Sequence, residues 1–434
     1  MSCSLCIVKY NTIKNRMNRL KYSFLTLLLL IYCYNTELSG QDPLKRFSFK
    51  NIEQTSLSIP FKMHNNLIII PASINNSDTL NFILDTGLNT TILSELNWQD
   101  SISLVFAREV QLQGLGQGEP VNALHSYGNN ITISDITGNN QDIYVLLDNS
   151  FNLSAKMGVS VNGILGYPLF KNFIVSINYT NSTITFYKPE SFYSAKKYRR
   201  YKTIPISVHD TKPYINVLLT DNNGVVHNIK LLIDTGASHT IWLDESTLPD
   251  LIKPEIKKYT LLGSGLNGKV FGEVARLQWL DISNFKIKNP VVSFPDSSSL
   301  LYAAGMDLRN GSIGSDILRR FNLVIDYNNS EIRMRPNKFF HKPFNVNLSG
   351  MEIIAPYAGL KIYFVENVME GSPAWKAGIR EDDELVSINN VPVTQMQMSD
   401  IYHILQSKPG KKIKIRFYRN DRLISVTFKL DEFI

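Results

Sequence analysis

Phe82-Ile83-Leu84-Asp85-Thr86-Gly87 and Leu231-Leu232-Ile233-Asp234-Thr235-Gly236 decide the fold of this 434-residue chain. In both, Asp-Thr-Gly ends an apolar, strand-like run, and the two aspartates stand 149 positions apart. The surroundings repeat as well. The first copy opens with Ile59-Pro60, passes Thr91-Ile92, a glycine-rich stretch and Gly163-Ile164-Leu165-Gly166, and closes with Val175-Ser176-Ile177-Asn178-Tyr179. The second opens with Ile204-Pro205, passes Thr240-Ile241, a glycine-rich stretch and Gly311-Ser312-Ile313-Gly314, and closes with Leu323-Val324-Ile325-Asp326-Tyr327. Gly166 and Gly314, like Tyr179 and Tyr327, are 148 apart, so the landmarks stay in register and the unit is duplicated.

Both copies read as mainly β. Leu67 to Ile70, Ile131 to Ile133, Thr183 to Tyr187, Tyr214 to Leu219 and Glu331 to Met334 are short and rich in β-branched and aromatic residues. Asn222-Asn223-Gly224 and Asn328-Asn329-Ser330 read as hairpin turns. Helices are expected to be few and short, after Gly166 and over Ser315 to Phe321.

An apolar strand ending in Asp-Thr-Gly puts a carboxyl at the lip of a core, and the glycine lets another segment approach closely. Thr86 and Thr235 carry hydroxyls able to bond the opposite loop. If Asp85 and Asp234 meet across a pseudo-twofold axis, two adjacent carboxyls cannot both ionise, and they share a proton. One can then act as general base on a water while its protonated partner polarises a substrate carbonyl. That chemistry is amide hydrolysis without a covalent intermediate.

Over residues 55–336 the chain resembles the retropepsin-like aspartic peptidases, here with two lobes fused in one polypeptide. Asp234-Thr235-Gly236-Ala237-Ser238 carries the signature, and Ile313-Gly314-Ser315-Asp316-Ile317-Leu318 resembles the segment that packs beneath the catalytic loop. The first copy departs at Leu88-Asn89 and at Tyr167-Pro168, which bears on subsite shape more than on catalysis. The resemblance implies catalytic Asp85 and Asp234, supported by Thr86, Gly87, Thr235 and Gly236. Aspartic proteases are themselves the standard instance of the shared-proton pair. It also implies mobile flaps, placed at Gly114-Leu115-Gly116 and Gly263-Ser264-Gly265. A monomer is expected because the two lobes supply the whole site.

Beyond Pro336 the repeat stops. Glu370-Gly371-Ser372-Pro373-Ala374-Trp375-Lys376-Ala377-Gly378-Ile379 has Ser372 to cap a short helix, Pro373 in its first turn and Gly378 at its end. Strands are expected over Glu384 to Ile388, Lys412 to Tyr418 and Leu423 to Leu430, and a helix near Met398 to Gln406. This region resembles a bacterial PDZ domain. The resemblance implies binding of peptide C-termini, with the receiving loop at Gly350, Met351 and Ile353, or alternatively at Gly359-Leu360-Lys361-Ile362.

The N-terminal 40 residues read as an export signal. Lys9, Lys14, Arg16, Arg19 and Lys21 precede an apolar run from Phe24 to Tyr34, of about eleven residues where a bilayer span needs about twenty. Met17 would make a more ordinary start, and a lipid-attachment reading through Cys33 is disfavoured by bulky Tyr32. Removing the segment removes Cys3, Cys6 and Cys33, all the cysteines in the chain, which excludes disulfides, thiol catalysis and cysteine-ligated metal. The formal charge falls from +7 to +3, too mild and scattered for nucleic-acid binding. A secreted or periplasmic protein without a membrane span in its mature chain is expected.

The expected organisation is a signal at 1–40, a first lobe at 41–190, a basic connection at 191–203, a second lobe at 204–336, a linker at 337–347 and a PDZ domain at 348–434. The fold class is a mainly β, bilobal pair of aspartic-protease-like β-barrels with pseudo-twofold symmetry, plus a small α+β PDZ domain. The function expected is an exported aspartic endopeptidase acting on peptides or proteins, with no cofactor or metal; the alternative is a non-catalytic peptide-binding protein on the same folds. His239 reads as a local packing or hydrogen-bonding residue, and the sequons at Asn75, Asn89, Asn130, Asn178 and Asn347 as a product of asparagine richness. The basic run from Lys196 to Arg200 reads as solvated linker, or alternatively a processing site.

Overall fold

The computed structural model describes residues 45–434 apart from 97–101, 106, 149–150, 194–195, 301–308, 358 and 433. The expected export segment and all three cysteines lie outside the described residues. Among the described residues no helix is long and apolar enough to cross a membrane.

Each copy builds the same strand arrangement around its Asp-Thr-Gly. In the first, Leu80–Leu84 pairs antiparallel with Leu67–Ile74 on one edge and parallel with Gly163–Leu165 on the other. In the second, Val226–Ile233 pairs antiparallel with Lys212–Thr220 and parallel with Gly311–Ile313. The aspartate-bearing strand is thus internal to its sheet in both lobes. Phe82, Ile83 and Leu84 are all buried, as are Leu231, Leu232 and Ile233, because covered strands need apolar residues on both faces.

A six-stranded sheet joins the lobes in the order Lys202–Pro205, Glu331–Pro336, Phe321–Asp326, Ile174–Asn178, Thr183–Tyr187, Ser56–Pro60. Three strands come from each copy, and the central contact pairs Val175 with Ile325 and Ile177 with Leu323. Pro60 and Pro205 sit on the two outermost strands, where a missing N–H leaves no gap in the ladder. One continuous apolar core runs through both lobes, from Phe61, Phe82 and Phe170 to Ile233, Ile325 and Phe344.

The strands expected from sequence fall within observed ones, except that Leu430 lies one residue past the end of strand Arg422–Lys429, and the turns at Asn222-Asn223-Gly224 and Asn328-Asn329-Ser330 form. The helix expected over Ser315 to Phe321 is shorter, Ser315–Leu318, because Phe321 already belongs to the joining sheet. Leu153–Met157 is a helix the sequence did not announce. It is five residues long, capped by Asn152 and ended by Gly158 at φ 66°.

The PDZ region has its own core of Met351, Ile353, Tyr363, Ile379, Leu385, Ile401, Leu405, Ile415 and Phe417. Ser372 accepts a hydrogen bond from Trp375 N at 3.2 Å, which starts helix Pro373–Lys376 as expected. Helix Met398–Leu405 begins with a reciprocal Gln397–Asp400 cap. Strands Lys412–Arg419 and Arg422–Lys429 meet through Asn420 and Asp421, both at positive φ, the geometry of a tight hairpin turn.

The connecting segment 337–347 is not free in solvent. Arg320 is 1% exposed, and its guanidinium lies 3.7 Å from the Phe344 ring centroid. It donates to the carbonyl oxygens of Asp316 at 3.0 Å and Phe339 at 3.3 Å, and also to that of Lys342. Burial lowers its pKa to about 10, still protonated at neutral pH. Arg320→Met is expected to strand these carbonyls and lower unfolding free energy by about 3–5 kcal/mol, read as a drop in urea midpoint. An unchanged midpoint would show that the segment holds itself in place.

Candidate active site

Two backbone bonds set the aspartates at equivalent depths: Asp85 N donates to Leu165 O at 2.9 Å, and Asp234 N to Ile313 O at 3.0 Å. Beneath them the threonines cross over. Thr86 Oγ1 donates to Ile233 O at 2.6 Å and accepts from Thr235 N at 3.1 Å. Thr235 Oγ1 donates to Leu84 O at 2.9 Å and accepts from Thr86 N at 3.1 Å. Both threonines are fully buried, so all four bonds lie away from water.

This lock brings the carboxyl groups together. Gly87 N donates to Asp85 Oδ1 at 2.6 Å and Gly236 N to Asp234 Oδ1 at 3.0 Å, which aims each carboxyl toward the other loop. A Cβ at position 236 would collide with the Asp85 carboxyl, and one at position 87 would lie 3.4 Å from Asp234 Oδ2. Close approach therefore requires glycine at position 236, as the sequence suggested, and leaves a tight fit for any side chain at position 87. Both aspartates are only half-buried by surface exposure, leaving room for a ligand.

Electrostatics separate the two acids. Burial raises the pKa of Asp85 well above the ordinary carboxylate value, and the neighbouring Asp234 charge raises it further. Burial raises Asp234 too, but the positive charge of Arg309 and the Gly236 N–H oppose this. Both acids are thus pushed toward sharing one proton, and the Arg309 charge favours the ionised form at Asp234.

The departure at Tyr167 has a structural answer. In the second lobe Ser315 Oγ donates to the Thr235 carbonyl at 2.9 Å. The first lobe has Tyr167 at the matching place, and the Thr86 carbonyl is bonded instead by the Tyr327 hydroxyl at 3.1 Å, across the lobe boundary. Tyr167 packs edge-on against Tyr327 with ring centroids 5.4 Å apart. Tyr179, the first-copy equivalent of Tyr327, leaves its hydroxyl without a partner. His239 stacks on Trp242 at 4.6 Å and meets Ser312 Oγ at 3.0 Å. Burial lowers its pKa to about 3, so it is a neutral packing residue.

Gly114, Leu115 and Gly116 lie beyond strand Ala107–Leu112; Gly263, Ser264 and Gly265 end strand Lys257–Gly265. The two tips touch, and Asn267 joins them. It is 2% exposed and receives Gly114 N on its side-chain oxygen. Its amide nitrogen donates to Glu119 O at 2.6 Å, its backbone N to Leu115 O at 2.9 Å, and its carbonyl accepts from Gly118 N at 2.7 Å. Sequence reading passed over Asn267 because asparagine in a glycine-rich run reads as turn chemistry. Arg309 and Tyr327 were missed as site neighbours because both act across long sequence separations.

In the PDZ region, Met351 and Ile353 lie on strand Met351–Ile354, and Gly350 precedes it at φ 73°. The alternative loop around Gly359 lies after that strand, its glycine open to solvent. Gly350 thus stands at the start of this strand and Gly359 beyond its end.

An aspartyl protease family model matches residues 70–169 and again residues 218–317, and a PDZ domain model matches residues 364–419. No curated protein matches the chain. The first pair of matches falls on the two lobes, each including its Asp-Thr-Gly and its apolar-glycine segment. The chain thus carries two aspartyl protease segments fused in one polypeptide, followed by a PDZ domain.

Proposed function

We propose that the protein is an aspartic endopeptidase in which Asp85 and Asp234 activate a water against a peptide carbonyl. The observation that carries this reading is the meeting of two half-buried carboxyls over the crossed threonines. Asp234, favoured as the ionised partner by the Arg309 charge, takes a proton from water as its oxygen bonds to the carbonyl carbon. Asp85, held protonated, donates to the carbonyl oxygen. The tetrahedral diol then collapses: the C–N bond breaks, the amine takes the proton from Asp234, and Asp85 recovers its own. Neither carboxyl bonds to substrate.

This mechanism needs one proton on the pair. Activity is lost as pH rises through the raised pKa, when both ionise, and as pH falls through the lower one, when both are protonated. Incubating the purified protein with a mixed peptide pool between about pH 3 and 7 is expected to give a bell-shaped profile of internal cleavages, abolished by a statine-type inhibitor. Peptides retained without cleavage at any pH would leave a peptide-binding protein as the function.

A further inference from the structure

The strand Met351–Ile354 pairs with Tyr363–Val368 on one side only. Its other edge faces helix Met398–Leu405, and an added peptide strand would take its backbone partners there. None of three successive donors on that edge is free. Met351 N donates to Ser349 Oγ at 3.2 Å, and Ile353 N to the Tyr402 hydroxyl at 3.4 Å. Ala355 N donates to the carbonyl oxygen of Ala155 at 2.9 Å, in the first lobe. The Met351 carbonyl is also engaged, by Asn347 Nδ2 at 2.6 Å. Tyr402 reaches from the helix across to the strand, and its hydroxyl donates to Glu352 Oε2 at 2.7 Å.

The first-lobe contact extends beyond one bond. Helix Leu153–Met157 ends at Gly158, whose α-carbon faces Met398, the first residue of the PDZ helix; a Cβ at position 158 would lie 2.8 Å from Met398 Cβ. Burial lowers the pKa of Lys156, and the Lys269 charge adds to this, while the carboxylates of Glu366 in the PDZ domain and Glu95 in the lobe oppose it. The helix is fixed from below, because Leu153 and Met157 are buried with Ile83, Val161 and Ile164 in a first-lobe cluster. If the contact opens, the PDZ domain moves and the helix stays.

We propose that this chain occupies its own PDZ receiving edge, with residues 152–158 and the Tyr402 hydroxyl standing where a C-terminal peptide would pair, so that such a peptide binds only after the PDZ domain lifts from the first lobe. The lobe helix is then a resident partner of the PDZ domain, and a peptide ending in a free carboxylate is its competitor. An occupied edge lowers the apparent affinity for the competitor by the fraction of molecules that are open. The proposal stands apart from the chemistry of the aspartates.

Gly158→Asn tests it in the full-length chain. Asparagine tolerates the left-handed backbone at this cap, but its Cβ cannot coexist with Met398 at the present separation. Lys156→Glu is a second variant that leaves the cap alone and sets a third carboxylate against Glu366 and Glu95. The probe is a labelled peptide of about ten residues with an apolar last residue and a free carboxylate, followed by fluorescence anisotropy. Both variants are expected to bind it about tenfold more tightly than the parent. An amidated copy should not bind, and the Ala355 amide should exchange faster with solvent in the variants. Equal affinity in parent and variants, or no binding by any of them, overturns the proposal.

Discussion

Asp85→Asn and Asp234→Asn are each expected to lower peptide hydrolysis by about a thousandfold or more while the fold persists. Asparagine keeps the shape of the side chain and can still accept the Gly87 or Gly236 N–H, so the loop geometry survives. What is lost is the ability to carry the shared proton through the cycle. The two losses should not add, because either substitution disables the same unit. Stability should move the other way. A carboxyl whose pKa is higher folded than unfolded binds its proton more tightly in the fold. Its stabilising effect is full below the unfolded value and declines as pH rises through the raised one. Burial and the neighbouring charge raise Asp85 in this manner, so wild type should lose stability between acidic and neutral pH more steeply than Asp85→Asn. Thermal melts across that range, beside rate measurements, check both halves. A variant that keeps substantial activity removes the dyad from the mechanism.

Thr86→Val and Thr235→Val strike the lock beneath the carboxyls. Valine matches threonine in shape but offers no hydroxyl, so each change strands one buried carbonyl and one buried N–H: Ile233 O and Thr235 N in the first case, Leu84 O and Thr86 N in the second. Buried groups left without partners should cost about 2–5 kcal/mol per variant. Because the same bonds register the two aspartates, cleavage should fall by about a hundredfold as well. The double variant should lose less stability than the sum of the singles, since the four bonds form one network. Urea titrations of the two singles and the double measure this coupling. Additive losses would mean that the crossed threonines act as separate anchors.

The duplicated tripeptide made the bilobal plan legible because pairing partners recur at a fixed offset, and the strands followed from short runs rich in β-branched and aromatic residues within each copy. The PDZ helix cap at Ser372 and the Asn420-Asp421 turn were equally readable, since both are local. What escaped was long-range. Arg320 looks like any surface arginine beside Arg319, yet it is buried against carbonyls that lie about twenty positions downstream. Tyr167 looked like a departure from pattern; its consequence becomes visible only with Tyr327 placed across the lobe boundary. The helix at Leu153–Met157 is too short for periodicity to register, and it acquires meaning only from the domain it touches.

The joining sheet has a consequence for how the site comes into being. Its central strands, Ile174–Asn178 and Phe321–Asp326, belong to one covalent chain. Assembly of the carboxyl pair is therefore a first-order event, governed by the folding of a single molecule. Dilution that would dissolve a site shared between two subunits leaves this one whole.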